Sequence, residues 1–472
     1  MPSEVAQVDH ARLLARQKTR FSAYLRHTTA AERLRRLRSL RQWIQRHQGE
    51  IEEAIYQDMR KPSAEVALTD IKPVLTELRE ARAHLHTWMQ SKWVPSPSYL
   101  LTASARIRYE PKGVSLILAP WNFPFMLSIS PLVSAIAAGN CVVLKPSELA
   151  PHTAELISKM LGELFDPDEV AVVLGGVDVS TELLKLPFDH IFFTGSPQVG
   201  RVVMRAAAEH LSSVTLELGG CNPVFVDATA DIQDTAEKLA WGKFMNNGQS
   251  CVSPNFVLVD QRVQTDLVTA LKAQVERFYG REPGQSTSYA RIINARHTAR
   301  LRQLLTASVD LGAEVVTGGV AREEDNYIAP TILNDVPWAA PVMQEEIFGP
   351  ILPVAGYHKL SDALGEVQRK EKPLALYIFS RNADNIRYIL ENTTAGATCI
   401  NETTVHFAHP RLPFGGVNTS GIGKAHGHAG FLAFTNERAV LEQRTGFTFV
   451  KLAYPPYTEF KKGLIQALTW WL

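Results

Sequence analysis

Short runs dominated by apolar residues, separated by helical stretches, leave the segment after Gly113 few ways to fold. Val114–Leu118, Cys141–Leu144, Val170–Leu174, Ile191–Phe193 and Val214–Leu218 read as buried strands. Leu127–Ala138, Thr153–Phe165 and Arg201–His210 carry helical patterns between them. Strand–helix–strand repeats at this spacing imply right-handed crossovers and a parallel sheet. Such a sheet takes ligands at the carboxyl ends of its strands.

The same rhythm starts again near Gly219-Gly220. Strand candidates are Val224–Val226, Phe256–Val259, Glu314–Val316, Ile351–Val354, Leu374–Ile378 and Thr398–Ile400, with helices at Asp231–Met245 and Val263–Phe278. Ahead of both units, residues 11–93 are helical, with Leu34, Leu37, Leu40 and Trp43 on one stripe. Arg33, Arg35, Arg36, Arg38 and Arg41 are soon balanced by Glu50, Glu52, Glu53 and Asp58, which describes a solvated helix face. Pro95–Ser98 breaks the helical pattern. The following LLTASARIRYEP alternates like an exposed strand, an arm able to pair with another element or subunit.

At 472 residues the chain exceeds one ordinary core, and a formal charge of +1 offers no case for nucleic acid or an anionic membrane. Its four cysteines (Cys141, Cys221, Cys251, Cys399) form neither a disulfide framework nor a CxxC metal pattern. The N-terminus lacks a signal-peptide apolar core, and no apolar run reaches the roughly 18–20 residues of a membrane span. These features predict a soluble, cytoplasmic protein.

Four stretches carry chemistry. In FMNNGQSCVSP, Cys251 follows a run of polar residues, a setting that suits either a thiolate facing a cleft or an idle loop cysteine. Thr194-Gly195-Ser196 follows a strand, with Gly200 at the next helix start. Free backbone N–H groups there favour a pyrophosphate, and an unliganded tight turn is the alternative. Lys145 and Glu148 can hydrogen-bond ribose hydroxyls, or Ser147 can cap a helix with Glu148 in its first turn. Glu217, in an otherwise apolar strand, is either structurally paired or a base with a raised pKa.

APWNFP (119–124), KPSE (145–148), FTGS (193–196), LELGG (216–220), NNGQSC (246–251), EEIFGP (345–350) and PFGG (413–416) occur in that order. Together they resemble the NAD(P)-dependent aldehyde dehydrogenase superfamily over almost the whole chain. DMRKPSAEV fits the same family. The short N-terminus and YPPYT are similar to its class 3 branch, the fatty and aromatic aldehyde dehydrogenases.

The resemblance implies a Rossmann-like cofactor domain, a second α/β catalytic domain and a small β oligomerisation arm. Residues 1–92 and 111–217 would form the N-terminal helices and NAD-binding domain, and 218–420 the catalytic domain. Residues 93–110 and 425–448 would form the oligomerisation element, and 449–472 a C-terminal tail. Cys251 is the implied nucleophile, Asn122 the oxyanion donor and Glu217 the base that activates water. Lys145 and Glu148 would hold the adenosine ribose, and Gly195, Ser196 and Gly200 the pyrophosphate. Glu346 would hold the nicotinamide ribose beside Phe348, with Trp121, Leu218 and Gly219 completing the cofactor contacts. Glu148 should repel a 2′-phosphate, which favours NAD, although class 3 relatives tolerate NADP. A homodimer and an aldehyde substrate, medium- or long-chain aliphatic or aromatic, follow from the same branch. Two alternatives stand beside this: a CoA-acylating or reductive relative, and a non-catalytic structural protein on this scaffold.

No metal site is expected. His426 and His428 lack further ligands nearby and read as loop histidines, and Cys221 and Cys399 as small core residues. In the tail, Lys461 and Lys462 precede Leu464, Ile465, Leu468, Trp470 and Trp471 in an amphipathic pattern. That segment would cover the aldehyde entrance, lie on a membrane surface or pack on a partner subunit; the first is the expectation.

Overall fold

A computed structural model describes residues 9–470. The cofactor-type sheet runs Gly421–Ile422, Ser213–Leu218, His190–Gly195, Val114–Leu118, Cys141–Lys145, Val170–Val172. All neighbours are parallel except the first pair, where Gly421 stands opposite Glu217. Successive strands step one way from Val114–Leu118 and later ones fall on its other side. The strand order therefore reverses between Val114–Leu118 and His190–Gly195. Ligands of open α/β sheets bind at such a reversal. The chain leaves these two strands through Trp121-Asn122 and Gly195-Ser196.

The second sheet runs Glu314–Thr317, Thr331–Asn334, Ile351–Tyr357, Phe256–Asp260, Pro223–Val226, Ala375–Phe379, Ala397–Ile400. It is parallel except at Glu314–Thr317. Its strands lie among buried valine, isoleucine and phenylalanine, as two-sided burial demands. Observed strands match the expected ones to within a few residues. The α/β architecture with two wound sheets and a small β arm stands as expected.

Two elements differ from these expectations. Trp93 belongs to a strand, Lys92–Val94, not to the preceding helix, which ends at Trp88. This strand pairs with Ala103–Pro111, which pairs along its full length with Thr435–Gln443. Ser147 does not cap a helix: the next helix starts at Pro151, and the Ser147 hydroxyl instead accepts the Leu149 N–H at 3.2 Å. Proline at the first helical position costs no hydrogen bond and fixes the later start. The tail forms a helix at Glu459–Trp470, in keeping with its amphipathic pattern, after a short turn at Phe449–Ala453 that packs on Ser98–Leu100. Trp471 and Leu472 lie outside the described residues.

Candidate active site

Two cavities meet at Cys251. One is a cleft at the strand-order reversal, lined by Trp121, Asn122, Gly195, Ser196, Glu346 and Phe348. The other is walled by Phe123, Met126, Leu127, Phe192, Phe407 and Phe414. Thr194, Glu217 and Cys251 face both.

The helix Ile232–Phe244 delivers the chain into the turn that carries Cys251. Asn246 and Asn247 both take left-handed backbone angles (φ 51° and 57°), a region asparagine tolerates better than most residues. Gly248 (φ 71°) passes so near the Gly349 carbonyl that a Cβ would fall 2.3 Å from it. Polar as the turn is, Asn246, Asn247 and Gln249 are fully buried. Their polar atoms wire the turn together. Asn246 Nδ2 donates to the carbonyls of Asn122 (2.8 Å) and Gln249 (3.2 Å), and Asn122 Nδ2 donates to Gln249 O at 3.1 Å. Gln249 Nε2 donates to Asn246 O and Arg291 O, and its Oε1 accepts the Ile293 N–H. An amide nitrogen has two N–H groups, so Asn122 keeps one for a ligand in the cleft.

Cys251 itself is half-buried. Asn222 Nδ2 donates to its carbonyl at 2.7 Å and to Ser253 O at 3.0 Å, while the Tyr377 hydroxyl donates to Val252 O. These bonds hold both flanks of the nucleophile. Burial pushes the Cys251 thiol up to about 12, the nearby Glu346 and Glu217 carboxylates push it further, and its own and the Val252 backbone N–H oppose them. The thiol is therefore neutral at rest, and a positive charge in the cleft would favour the thiolate.

Glu217 is not structurally paired. Both its carboxylate oxygens are buried without a partner, and burial holds its pKa well above the usual carboxylate range, opposed only by Lys424. Lys424 instead donates to the Gly415 and Gly416 carbonyls. A partnerless carboxyl beside a thiol is suited to taking a proton from water.

The cleft's donor set fits a dinucleotide. Ser196 caps the helix Pro197–His210, its hydroxyl accepting the Val199 N–H at 3.3 Å, so free N–H groups of the first turn face the strand end. Gly200 lets that helix approach Leu218, whose side chain would stand 2.7 Å from a Cβ there. Glu346 is folded against Gly219, where a Cβ would stand 2.2 Å from its carboxylate. Its Oε1 is buried without a partner, and burial pushes it up to about 7. A ribose hydroxyl would satisfy that oxygen. Phe348 takes a left-handed φ of 50° and meets Trp121 edge-on at 5.3 Å; His297 stands 5.2 Å from the same indole. Lys145 and Glu148 pair at 2.6 Å at the neighbouring strand end. They, Gly200 and Leu218 stand outside the cleft lining; the other expected cofactor residues lie in it.

Several site residues were given no role in the site by the sequence. Glu65, from the early helix breaker, accepts the Asn246 N–H. Burial pushes its carboxyl up to about 6, opposed by Lys61. Lys61 and Asp70 form a fully buried pair at 2.7 Å, with Lys61 Nζ 4.2 Å from the Phe123 ring centre and Asp70 Oδ1 accepting the Met126 N–H. His426, read as a loop histidine, lines the apolar cavity stacked on Phe414 at 4.9 Å. His428 lies against Trp88 and Phe431. Among the described residues no group of three or more His, Cys, Asp or Glu is arranged to hold a metal ion, and no helix is long and apolar enough to cross a membrane. None of the described tail residues lines the apolar cavity.

Comparison with known proteins agrees with this geometry. A family model described as the aldehyde dehydrogenase family matches residues 2–440. The 4,4'-diaponeurosporen-aldehyde dehydrogenase of Staphylococcus aureus is 42% identical over 88% of this chain and 89% of its own. The bovine (Bos taurus) aldehyde dehydrogenase family 3 member B1 is 44% identical over 89% of each. A substrate-bound structure of Staphylococcus aureus AldH superposes with a TM-score of 0.93 at 39% identity, covering 97% of this chain and 99% of that one. A Mycobacterium tuberculosis aldehyde dehydrogenase complexed with NAD+ gives 0.85 at 25% identity, over 93% and 91%. With a family model spanning nearly its whole length and class 3 relatives more than two-fifths identical over most of it, the chain belongs to the aldehyde dehydrogenase family and is an NAD(P)-dependent enzyme that oxidises aldehydes.

Proposed function

We propose that this enzyme converts medium- or long-chain aliphatic or aromatic aldehydes to carboxylic acids through a cysteine thioester that water hydrolyses. The partnerless, burial-raised carboxyl of Glu217, facing both cavities beside Cys251, carries the reading. The apolar cavity takes the aldehyde's chain. Cys251 attacks the carbonyl carbon, and the free amide N–H of Asn122 with the Cys251 backbone N–H holds the oxygen as it gains charge. When bound in the cleft, the nicotinamide cofactor supplies the hydride acceptor. Glu217 then takes a proton from the water that cleaves the Cys251 thioester.

Lys145 and Glu148 hold the adenosine ribose, and Glu148 tilts the preference toward NAD. Cys251→Ala should abolish turnover while NAD binding, followed by fluorescence, persists; full activity in that variant refutes the nucleophile. A CoA-acylating relative would need no water-activating base, so equal acid production with and without CoA supports hydrolysis. We further propose a homodimer through the sheet Lys92–Val94, Ala103–Pro111, Thr435–Gln443, whose largely exposed outer strand is free to extend. In that dimer the tail, with exposed Phe447, Phe449, Tyr457, Phe460 and Trp470, would reach the partner or a membrane surface. Light scattering tests the dimer; a monomer at micromolar concentration overturns it. Four unpaired cysteines suit a reducing, cytoplasmic setting.

A further inference from the structure

Away from the reacting end at Thr194, Glu217, Ser250 and Cys251, the wall of the aldehyde cavity is apolar apart from His426 and one strip of polar side chains. The helix Met126–Ala138 runs beside it and turns Met126, Ser130 and Ser134 toward it at four-residue intervals. Each interval advances about 6 Å along a helix axis, away from the catalytic Asn122 at its amino end. Ser130 and Ser134 thus stand about 6 and 12 Å beyond Met126.

Helix serines ordinarily return their hydroxyl to the carbonyl one turn back, as Ser128 does to Pro124. Ser130 does not. Its residue is 6% exposed, and its Oγ is buried without a hydrogen-bond partner. Where the helices Lys72–Trp88, Met126–Ala138 and Gly427–Ala433 pack together, the wall gains two more polar groups. Ser134 approaches Gly430, whose missing Cβ would fall 2.5 Å from its Oγ. Glu77, 7% exposed, lines the cavity with one carboxylate oxygen held by the Gly427 N–H at 2.8 Å.

A buried hydroxyl or carboxyl facing an apolar cavity costs free energy unless something there hydrogen-bonds it. A plain alkyl chain leaves the Ser130 hydroxyl unsatisfied. We infer that Ser130 and Glu77 form a polar subsite, so that the preferred aldehyde carries a hydroxyl on an otherwise apolar chain, beyond the reacting carbon. A hydroxyl suits the strip better than a ketone or an amine. It both donates and accepts, so it satisfies Ser130 and Glu77 whether the carboxyl is neutral or ionised; burial pushes that carboxyl up to about 7. An ammonium needs three acceptors, and the neighbouring His426 ring stacks on Phe414 in an apolar wall.

This subsite rests on the proposed aldehyde oxidation, and the test separates the two. ω-Hydroxyalkanals and ω-methoxyalkanals of six to twelve carbons are compared with the matching n-alkanals by NADH formation. At one chain length the hydroxyl should raise kcat/KM over the alkanal by roughly three- to tenfold, the worth of one neutral hydrogen bond. The methoxy series should not follow it. In Ser130→Ala and in Glu77→Leu that ratio should fall to near one, while Glu77→Gln, which still donates and accepts, should keep it. A ratio at or below one at every length overturns the subsite, as does a ratio unchanged in both Ser130→Ala and Glu77→Leu. If none of the aldehydes is oxidised, the proposed function itself fails.

Discussion

Removing Glu65 tests how much of this enzyme's rate resides in a turn that touches no substrate. Its carboxylate takes the backbone N–H of Asn246, whose side chain in turn holds the carbonyls of Asn122 and Gln249. In Glu65→Ala that N–H stays buried with no acceptor, at a cost of about 1–3 kcal/mol. If the whole penalty falls on the aligned turn, the fraction of enzyme with Asn122 and Cys251 correctly placed drops. At about 1.4 kcal/mol per decade, kcat falls roughly five- to 150-fold. Glu65→Gln keeps an acceptor oxygen and should stay near wild type at neutral pH. The pH profile separates positioning from general destabilisation. Glu65 faces Lys61 and Asp70, and burial pushes its carboxyl from the ordinary 4.5 up to about 6. As pH falls through about 6 the carboxylate becomes a weaker acceptor, so kcat should decline; in Glu65→Gln that limb should vanish. Stability moves the other way. The folded-state value lies above the unfolded one, so the native chain holds the extra proton, and stability from this group declines as pH rises through that window. Steady-state NADH formation, Cys251 alkylation rates and circular dichroism together give the answer. A folded Ala variant with wild-type kcat, or a Gln variant that keeps the acid limb, refutes the reasoning.

Glu217→Gln should still acylate, giving a burst of NADH and a Cys251 thioester visible by mass spectrometry, while steady-state turnover falls roughly 100-fold or more, as loss of a positioned base predicts; an unchanged steady state would exclude Glu217 as the base. Gly219→Ala drives a Cβ to 2.2 Å from the Glu346 carboxylate, so NAD binding measured by fluorescence should weaken while the circular dichroism spectrum is retained. Because burial pushes the Cys251 thiol up to about 12, iodoacetamide should label the cofactor-free enzyme slowly at pH 7 and faster as pH rises. Adding NAD+, whose nicotinamide ring is cationic, should accelerate that labelling, and no acceleration would argue against the cleft as its site.

The two wound sheets were legible because apolar runs such as Val114–Leu118 and Phe256–Asp260 are buried on both faces and carry that demand in their composition. Gly421–Ile422 was not legible. It is two residues long among glycines, and only its distant partner Ser213–Leu218 makes it a strand. The helix Ala295–Asp310 escaped because arginine and threonine interrupt its apolar stripe, which survives only as Leu301, Leu304 and Leu305. Cys251 and Glu217 could be singled out as chemistry-bearing residues in unusual settings. Glu65 and His426 could not, because their burial is imposed by segments far away in sequence. The polarity of the catalytic turn was ambiguous in a simpler way. Polar residues mark either contact with water or dense internal wiring, and composition alone does not distinguish them.

Cys251 is reached from two sides, and this has a consequence for traffic. The aldehyde cavity and the nucleotide cleft share only Thr194, Glu217 and Cys251 among their lining residues. Neither reactant has to pass through the other's doorway. Either can be loaded or retained while the other exchanges, so initial-rate plots should intersect, and an alkyl acid should not compete with NAD. The acid product can then depart while the spent nucleotide is still seated.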